Sequence, residues 1–365
     1  MKKNLLILMN QELDERNLER LGINFFLNRK WKIFILNYYK NKNKNKKNLI
    51  FLNNKNIYTT IKQLIKSSKN INYYLNFSGA SFKEKIIQIV CKNLKIKKID
   101  FDVGNIPKPY KINRLVILNH FFSKDFFKTI VFIISNLKNY ILKYFDVNSD
   151  IKFISGSLYS NYNGKIIFNH NFDYDIFLKE KNILSKKKNK YFVFLDQNFE
   201  NSFDLKEGKY LFKYNKKKYW LDLVKFFYKI KSNFGYDIKV LAHPRRDNKK
   251  YLGIKFIKNK SFKLIKNALG VFAHDSTAIQ ISVLLNKPII FLTSDYINND
   301  IYRKNSIKAF SKELGSKLIN LNSYKLSNLK FDINKKLYKR YIDKFIKHKK
   351  SKKIITWEKL YNLIN

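Results

Sequence analysis

Short apolar runs alternate with segments of helical periodicity along nearly the whole chain, and no other property of the sequence restricts its fold as much. The first half reads as strand over 4–9, helix over 15–27, strands over 31–38 and 48–53, helix over 58–68, strand over 72–77, helix over 82–94 and strand over 98–103, with Pro107 and Pro109 as punctuation. Strand-like runs at 151–154 and 165–168 follow. After the Lys/Asn run 186–190 the alternation restarts, with strands over 191–195, 238–242, 271–273 and 289–292, helices over 218–234, 262–268 and 277–285, and a basic helical end over 334–365. Strands separated by helical patterns are the signature of parallel α/β layers, because a parallel neighbour is reached only through a crossover.

At 365 residues the chain exceeds what one hydrophobic core usually serves. It divides into residues 1–185 and 186–333, each a Rossmann-like domain with a parallel sheet, and a C-terminal helical segment 334–365. A hydrophobic fraction of 45% supplies the cores. The net charge of +48 suggests a polyanion partner, yet only 8 of the 75 basic residues are Arg, the rest being Lys dispersed among Asn, Ile, Phe and Tyr. A dedicated nucleic-acid binder concentrates Arg, whose planar fork reads phosphates and guanine edges. Runs such as Lys40 to Lys47 read as solvated loops, and no specific nucleic acid is expected.

The single Cys91 sits in an amphipathic run, KEKIIQIVCKNLK, at a buried helix position, and one Cys builds neither a disulfide nor a thiolate metal site. The opening MKKNLLILMNQELDER is too short for a membrane span and has no small-residue cleavage site. A cytoplasmic protein is expected, with peripheral contact to the anionic inner membrane face. The stretch 121–145, with Phe122, Phe126, Ile130, Ile133 and Leu137, is a helix packed on the sheet, or one lining an acceptor cleft or lying on a membrane.

In parallel sheets, ligands sit beyond the carboxyl ends of strands. Four polar segments fall at such ends: Asp196-Gln197, His243-Pro244-Arg245-Arg246, His274-Asp275-Ser276-Thr277 and Thr293-Ser294-Asp295. Ser276 or Thr277 is placed as a helix N-cap. There the residue is either an ordinary cap or, with the helix dipole behind it, part of an anion site for a phosphate. Pro244 stops the strand and directs the loop, His243 is able to donate to a phosphate oxygen, and Arg245 or Arg246 to add a bidentate contact. Asp173-Tyr174-Asp175 matches an Asp-x-Asp pattern but reads as a turn and helix N-terminus.

The string from VLAHPRR through LIKNALGVFAHDSTAIQISVLLNKPIIFLTSD resembles the donor half of GT-B glycosyltransferases of bacterial surface polysaccharide biosynthesis. Sialyltransferase-like, capsule and lipopolysaccharide enzymes with an HP motif and a later Ser/Thr motif belong to that group. The resemblance covers roughly residues 190–295. It implies that His243, Pro244, Ser276 and Thr277 hold a nucleotide-sugar donor, slightly favouring a CMP-activated sugar, with no metal and no further cofactor; Arg245 and His274, in the same two polar segments, are further candidates for holding it. It also implies a glycan or lipid-linked glycan as acceptor. The acidic D/E-D/E-G motif of the sialyltransferase-like enzymes is absent. Asp102-Val103-Gly104 is its nearest echo, and Asp196 and Asp102 are therefore the candidate general bases. A polyanion-binding protein and a two-Rossmann sugar-nucleotide epimerase are the competing readings of the same features.

Overall fold

The computed structural model describes residues 3–39, 47–53, 56–79, 81–107, 134, 137, 138, 140–158, 162, 164–182, 191–199, 215–246, 249–258 and 260–365. Most of the 40–47 lysine run, most of 121–145, Pro109 and the 186–190 run lie outside them. The chain divides into two compact units: residues 1–104, 137–172 and 350–365 form the first, and 105–136 and 173–349 the second.

The first unit is built on strands β1 (Asn4–Met9), β2 (Lys32–Asn37), β3 (Leu49–Phe51), β4 (Tyr73–Phe77), β5 (Lys97–Asp102), β6 (Ile151–Ser155) and β7 (Lys165–Asn169). They form one sheet in the order β3-β2-β1-β4-β5-β6-β7, parallel at every step. Helices α1 (Glu15–Arg20), α2 (Ile23–Asn28), α3 (Ile57–Ser68) and α4 (Phe82–Asn93) connect its earlier strands. β1 shows why a continuous apolar run makes a central strand. Leu5, Ile7 and Met9 enter one hydrophobic cluster while Leu6 and Leu8 enter another, so both faces of the sheet are covered. Cys91 is fully buried on α4, as expected, and burial pushes its thiol up to about 12.

The expected helix 15–27 is broken at Gly22, which adopts a left-handed φ of +72°. A side chain there would run into the Trp357 ring from the far end of the chain. Trp357 and Leu360 lie on the C-terminal helix Thr356–Ile364 and belong to the same cluster as Leu5 and Ile7. Polar contacts fasten that segment: Lys359 Nζ donates to Asn169 Oδ1 (2.8 Å) and Ser351 Oγ (2.9 Å), and Asn169 Nδ2 to Thr356 Oγ1 (3.0 Å).

Helix α5 (Phe172–Glu180) belongs to the second unit from Asp173 on, and its first turn carries Asp173 and Asp175 as read from the sequence. The sheet of this unit comprises β8 (Tyr191–Leu195), β9 (Asp237–Leu241), β10 (Lys250–Tyr251), β11 (Ile254–Ile257), β12 (Val271–Ala273), β13 (Ile289–Thr293) and β14 (Leu318–Asn320). The order is β10-β11-β9-β8-β12-β13-β14, parallel except for the β10–β11 hairpin. Crossovers run through α6 (Lys216–Phe234), α7 (Ser261–Asn267), α8 (Ile279–Leu284), α9 (Asp295–Asn298) and α10 (Ile301–Leu314), before α11 (Lys335–Tyr341). All of β8 is buried in a single cluster with Trp220, Phe272 and Phe291. The fold class read from the sequence is the one observed: two α/β Rossmann-like units with parallel sheets and a helical C-terminus. In each sheet the strand order reverses beside the first strand, at β1/β4 and at β8/β12, and ligands of doubly wound sheets bind outside the carboxyl ends of such strands. Among the described residues no helix is long and apolar enough to cross a membrane.

Candidate functional site

Three of the four polar strand ends singled out from the sequence surround the β8/β12 reversal. Leu195 of β8 is in register with Leu241 of β9 on one side and Ala273 of β12 on the other. His243 and Asp275 therefore stand two residues beyond paired positions, flanking β8 on strands about 10 Å apart. The topology places the His243 turn and the Ser276 turn on the same edge of the same sheet.

Asp196 organises the β9 side. Its Oδ1 accepts from the Asn198 N–H (3.0 Å) and Arg246 Nη2 (2.8 Å), and its Oδ2 from the His243 N–H (3.0 Å) and Arg246 Nε. Four donors occupy both oxygens of a carboxylate whose side chain is 0% exposed. This geometry reassigns Asp196 from general base to the anchor of the His243 turn. The two arginines of HPRR separate: Arg246 is buried, its guanidinium 4.5 Å from the Phe256 ring and 5.1 Å from the Trp220 ring, while Pro244 and Arg245 are exposed. The turn closes with the Arg246 N–H donating to the His243 carbonyl (2.9 Å). His243 Nδ1 accepts from the Arg245 N–H (3.2 Å), so the neutral, half-buried ring carries its proton on Nε2, as a donor.

On the β12 side, His274 was expected to touch the donor and is instead a core residue. It is fully buried, with Nδ1 against the Leu292 carbonyl (2.7 Å) and Nε2 against the Tyr219 hydroxyl (3.2 Å). Burial lowers its pKa to about 4, outweighing the favourable Leu292 carbonyl and the Asp275 charge. Asp275 Oδ2 accepts from Arg303 Nη1 (2.7 Å), and the Arg303 guanidinium lies 4.4 Å from the Phe199 ring. Neither Ser276 nor Thr277 is the N-cap of α8. The cap position is Ala278, without a side-chain hydrogen bond. The chain enters the helix through a tight turn, in which Ser276 Oγ accepts from the Ala278 N–H (3.3 Å) and the Thr277 carbonyl from the Gln280 N–H (3.1 Å). Thr277 is exposed and Ser276 nearly buried.

Around β13 the polar residues serve the loop itself. Ser294 caps α9 by accepting from the Ile297 N–H (3.1 Å), and Asp295 Oδ1 accepts from Asn320 Nδ2 (2.6 Å). Asp102 stands in the other unit, at the end of β5, with its side chain 30% exposed and 3.7 Å from Lys152 Nζ. Asn198, Phe199, Tyr219 and Arg303 were not singled out from the sequence. Arg303 was findable: Asp300 and Gly315 bracket a run with Ile307, Phe310 and Leu314 at helical spacing, and both do cap α10.

No protein-family model and no curated protein matches the chain. Solved structures resemble it in fold. A variant of the wall teichoic acid polymerase TagF superposes with a TM-score of 0.51 at 10% identity, over 99% of this chain and 88% of that one. The UDP-GlcNAc 2-epimerase of Methanocaldococcus jannaschii gives 0.47 at 13% identity, over 99% of each chain. The S. aureus MnaA–UDP structure gives 0.48 at 13% identity, over 100% of this chain and 96% of that one. With its two parallel-sheet Rossmann-like units, the chain has the GT-B fold.

Proposed function

We propose that the chain is a glycosyltransferase that binds a nucleotide-activated sugar at the β8/β12 edge of its second unit and passes the sugar to a glycan or lipid-linked glycan. One observation carries this reading: the His243 turn and the Ser276-Thr277 turn leave strands on either side of β8 at one edge. In the proposed chemistry the bond from the anomeric carbon to the departing phosphate breaks while the acceptor hydroxyl attacks. The phosphate's growing charge is met by the His243 Nε2–H, the Thr277 hydroxyl and exposed Arg245. Asp196 and Arg246 keep the His243 turn in place. The acceptor's proton passes to a carboxylate. A CMP-activated donor, implied by the sequence resemblance, is one arm of the test.

Calorimetry over CMP, UDP, GDP and their sugars is expected to find one family that binds, with His243→Ala weakening it about tenfold or more at unchanged thermal stability. The absence of binding to any nucleotide would sink the proposal. Nucleotide release without acceptor, together with a converted free sugar, would identify an epimerase instead.

A further inference from the structure

The β8/β12 reversal holds polar atoms that the fold itself does not use. Asn198 and Asp275, 1% and 8% exposed, each keep a side-chain oxygen, Oδ1 in both, buried without a hydrogen-bond partner among the described residues, and Gln197 Nε2 is in the same condition. Leu195 and Ala273 are register partners, so Gln197-Asn198 and Asp275 leave adjacent strands at one level, about 5 Å apart in the hydrogen-bonding direction. Side chains close the same circuit. Phe199 packs 5.2 Å from the His274 ring, and Arg303 bridges from the Phe199 face to Asp275 Oδ2. Asn198 is also held at a left-handed φ of +50°, with its own N–H spent on Asp196. Strained backbone of this kind persists where surrounding structure enforces it and is concentrated at ligand sites.

Buried acceptors are stable only when a donor meets them. A phosphate has no donor to offer at neutral pH, whereas a hydroxyl does. The Asn198 amide is turned by its Nδ2, which donates to the Arg245 carbonyl (3.4 Å), and two acceptors with an amide donor at neighbouring strand ends are the set of groups that a pair of hydroxyls requires. We propose that Asn198 Oδ1 and Asp275 Oδ1 accept hydrogen bonds from a vicinal diol of the donor substrate, while Gln197 Nε2 donates to one of its oxygens. Arg303 is the positioning residue that fixes the Asp275 carboxylate. This inference rests on the nucleotide-sugar reading and specifies which part of that ligand faces which atoms. The diol belongs either to the ribose or to the transferred sugar.

The test is calorimetry on the full chain with four probes: the nucleotide that binds best among CMP, UDP and GDP, its 2′,3′-dideoxy form, its nucleotide sugar, and inorganic diphosphate. Three variants accompany it. Asn198→Gly removes the acceptor and suits the left-handed backbone, Asn198→Asp keeps an acceptor there, and Asp275→Asn alters the second site. For a ribose diol the ribo form should bind about tenfold more tightly than the dideoxy form. That ratio should collapse in Asn198→Gly and survive in Asn198→Asp, with diphosphate affinity unchanged throughout. For a diol on the transferred sugar, the nucleotide sugar's advantage over the bare nucleotide collapses in the same variants. Should Asp275→Asn fail to fold, the Asn198 pair decides alone. Wild-type protein that binds nucleotide without either discrimination, or discrimination untouched by Asn198→Gly, overturns the inference and leaves the transferase reading standing. Failure to bind any nucleotide removes both.

Discussion

The carboxyl edges of the two sheets are built from the same residue types used in opposite ways. At the carboxyl end of β5 in the first unit, Lys152 pairs with Asp102 (3.7 Å), and the two side chains remain 22% and 30% exposed. At the β8/β12 edge of the second, the partners are Arg246–Asp196 and Arg303–Asp275, almost wholly buried against aromatic rings. Lysine's compact, strongly hydrated charge suits the first setting, and arginine's weakly hydrated, bidentate fork suits the second. The teaching is that the net charge of +48 carries little functional information in this chain, whereas the placement of its 8 Arg carries a good deal.

The largest effect should come from the first unit's dependence on the far end of the chain. Deleting residues 350–365 removes Trp357, Leu360 and the Lys359 contacts. Trp357→Ala alone should cost about 3–5 kcal/mol, and the deletion more. Hydrogen exchange resolved by unit is expected to show β1–β7 losing protection while β8–β14 keep theirs. Uniform loss would mean that the two units fold as one. Next in size is the contrast between the two aspartates. Asp196→Ala strands a buried guanidinium and should lower stability in urea by about 3–5 kcal/mol. Asp102→Asn, which loosens a partly exposed pair, should cost no more than about 1 kcal/mol. Equal losses would break the comparison between the edges.

The same contrast explains which features were legible in the sequence. Runs such as Leu5–Met9 and Tyr191–Leu195 are buried on both faces, so their apolar continuity is visible without knowledge of their neighbours. The break at Gly22 was not visible, because the ring that requires it is Trp357, more than three hundred positions away. The hairpin of β10 and β11 was missed because its strands are short, although Leu252-Gly253 adopts the left-handed turn a hairpin needs. At the site, strand-end polarity located Asp196, His243 and Ser276 on one edge. Their roles depend on partners distant in sequence: Arg246 makes Asp196 an anchor, and Leu292 and Tyr219 make His274 a core residue.

His274 makes the second unit acid-sensitive at this edge. Its folded pKa, about 4, lies below the ordinary value of 6.5, so the unfolded chain takes up the proton first as pH falls. The stability this residue contributes is complete above pH 6.5 and is lost as pH drops towards 4, with a slope of up to about 1.4 kcal/mol per pH unit. Urea titrations between pH 7 and 4 should show that slope in the wild type and a flatter one in His274→Asn. An unchanged slope in the variant would assign the sensitivity to other groups.

The smallest effect sharpens the comparison from within the second unit. Lys231 and Asp237 form an ion pair of 2.9 Å between the end of α6 and the start of β9, with both side chains about two-thirds exposed (67% and 65%). Its geometry is as short as that of the buried pairs, so distance alone would rank it beside them. Solvation ranks it differently: an exposed pair gains little over two hydrated ions and is screened by salt. Lys231→Ala should therefore cost no more than about 0.5 kcal/mol at low salt and nothing measurable at 1 M. The Asp196→Ala loss should persist across that range, because no counter-ion reaches Arg246. A salt-insensitive loss in Lys231→Ala would show that burial does not separate the two kinds of pair, and the distinction between lysine and arginine edges would fall with it.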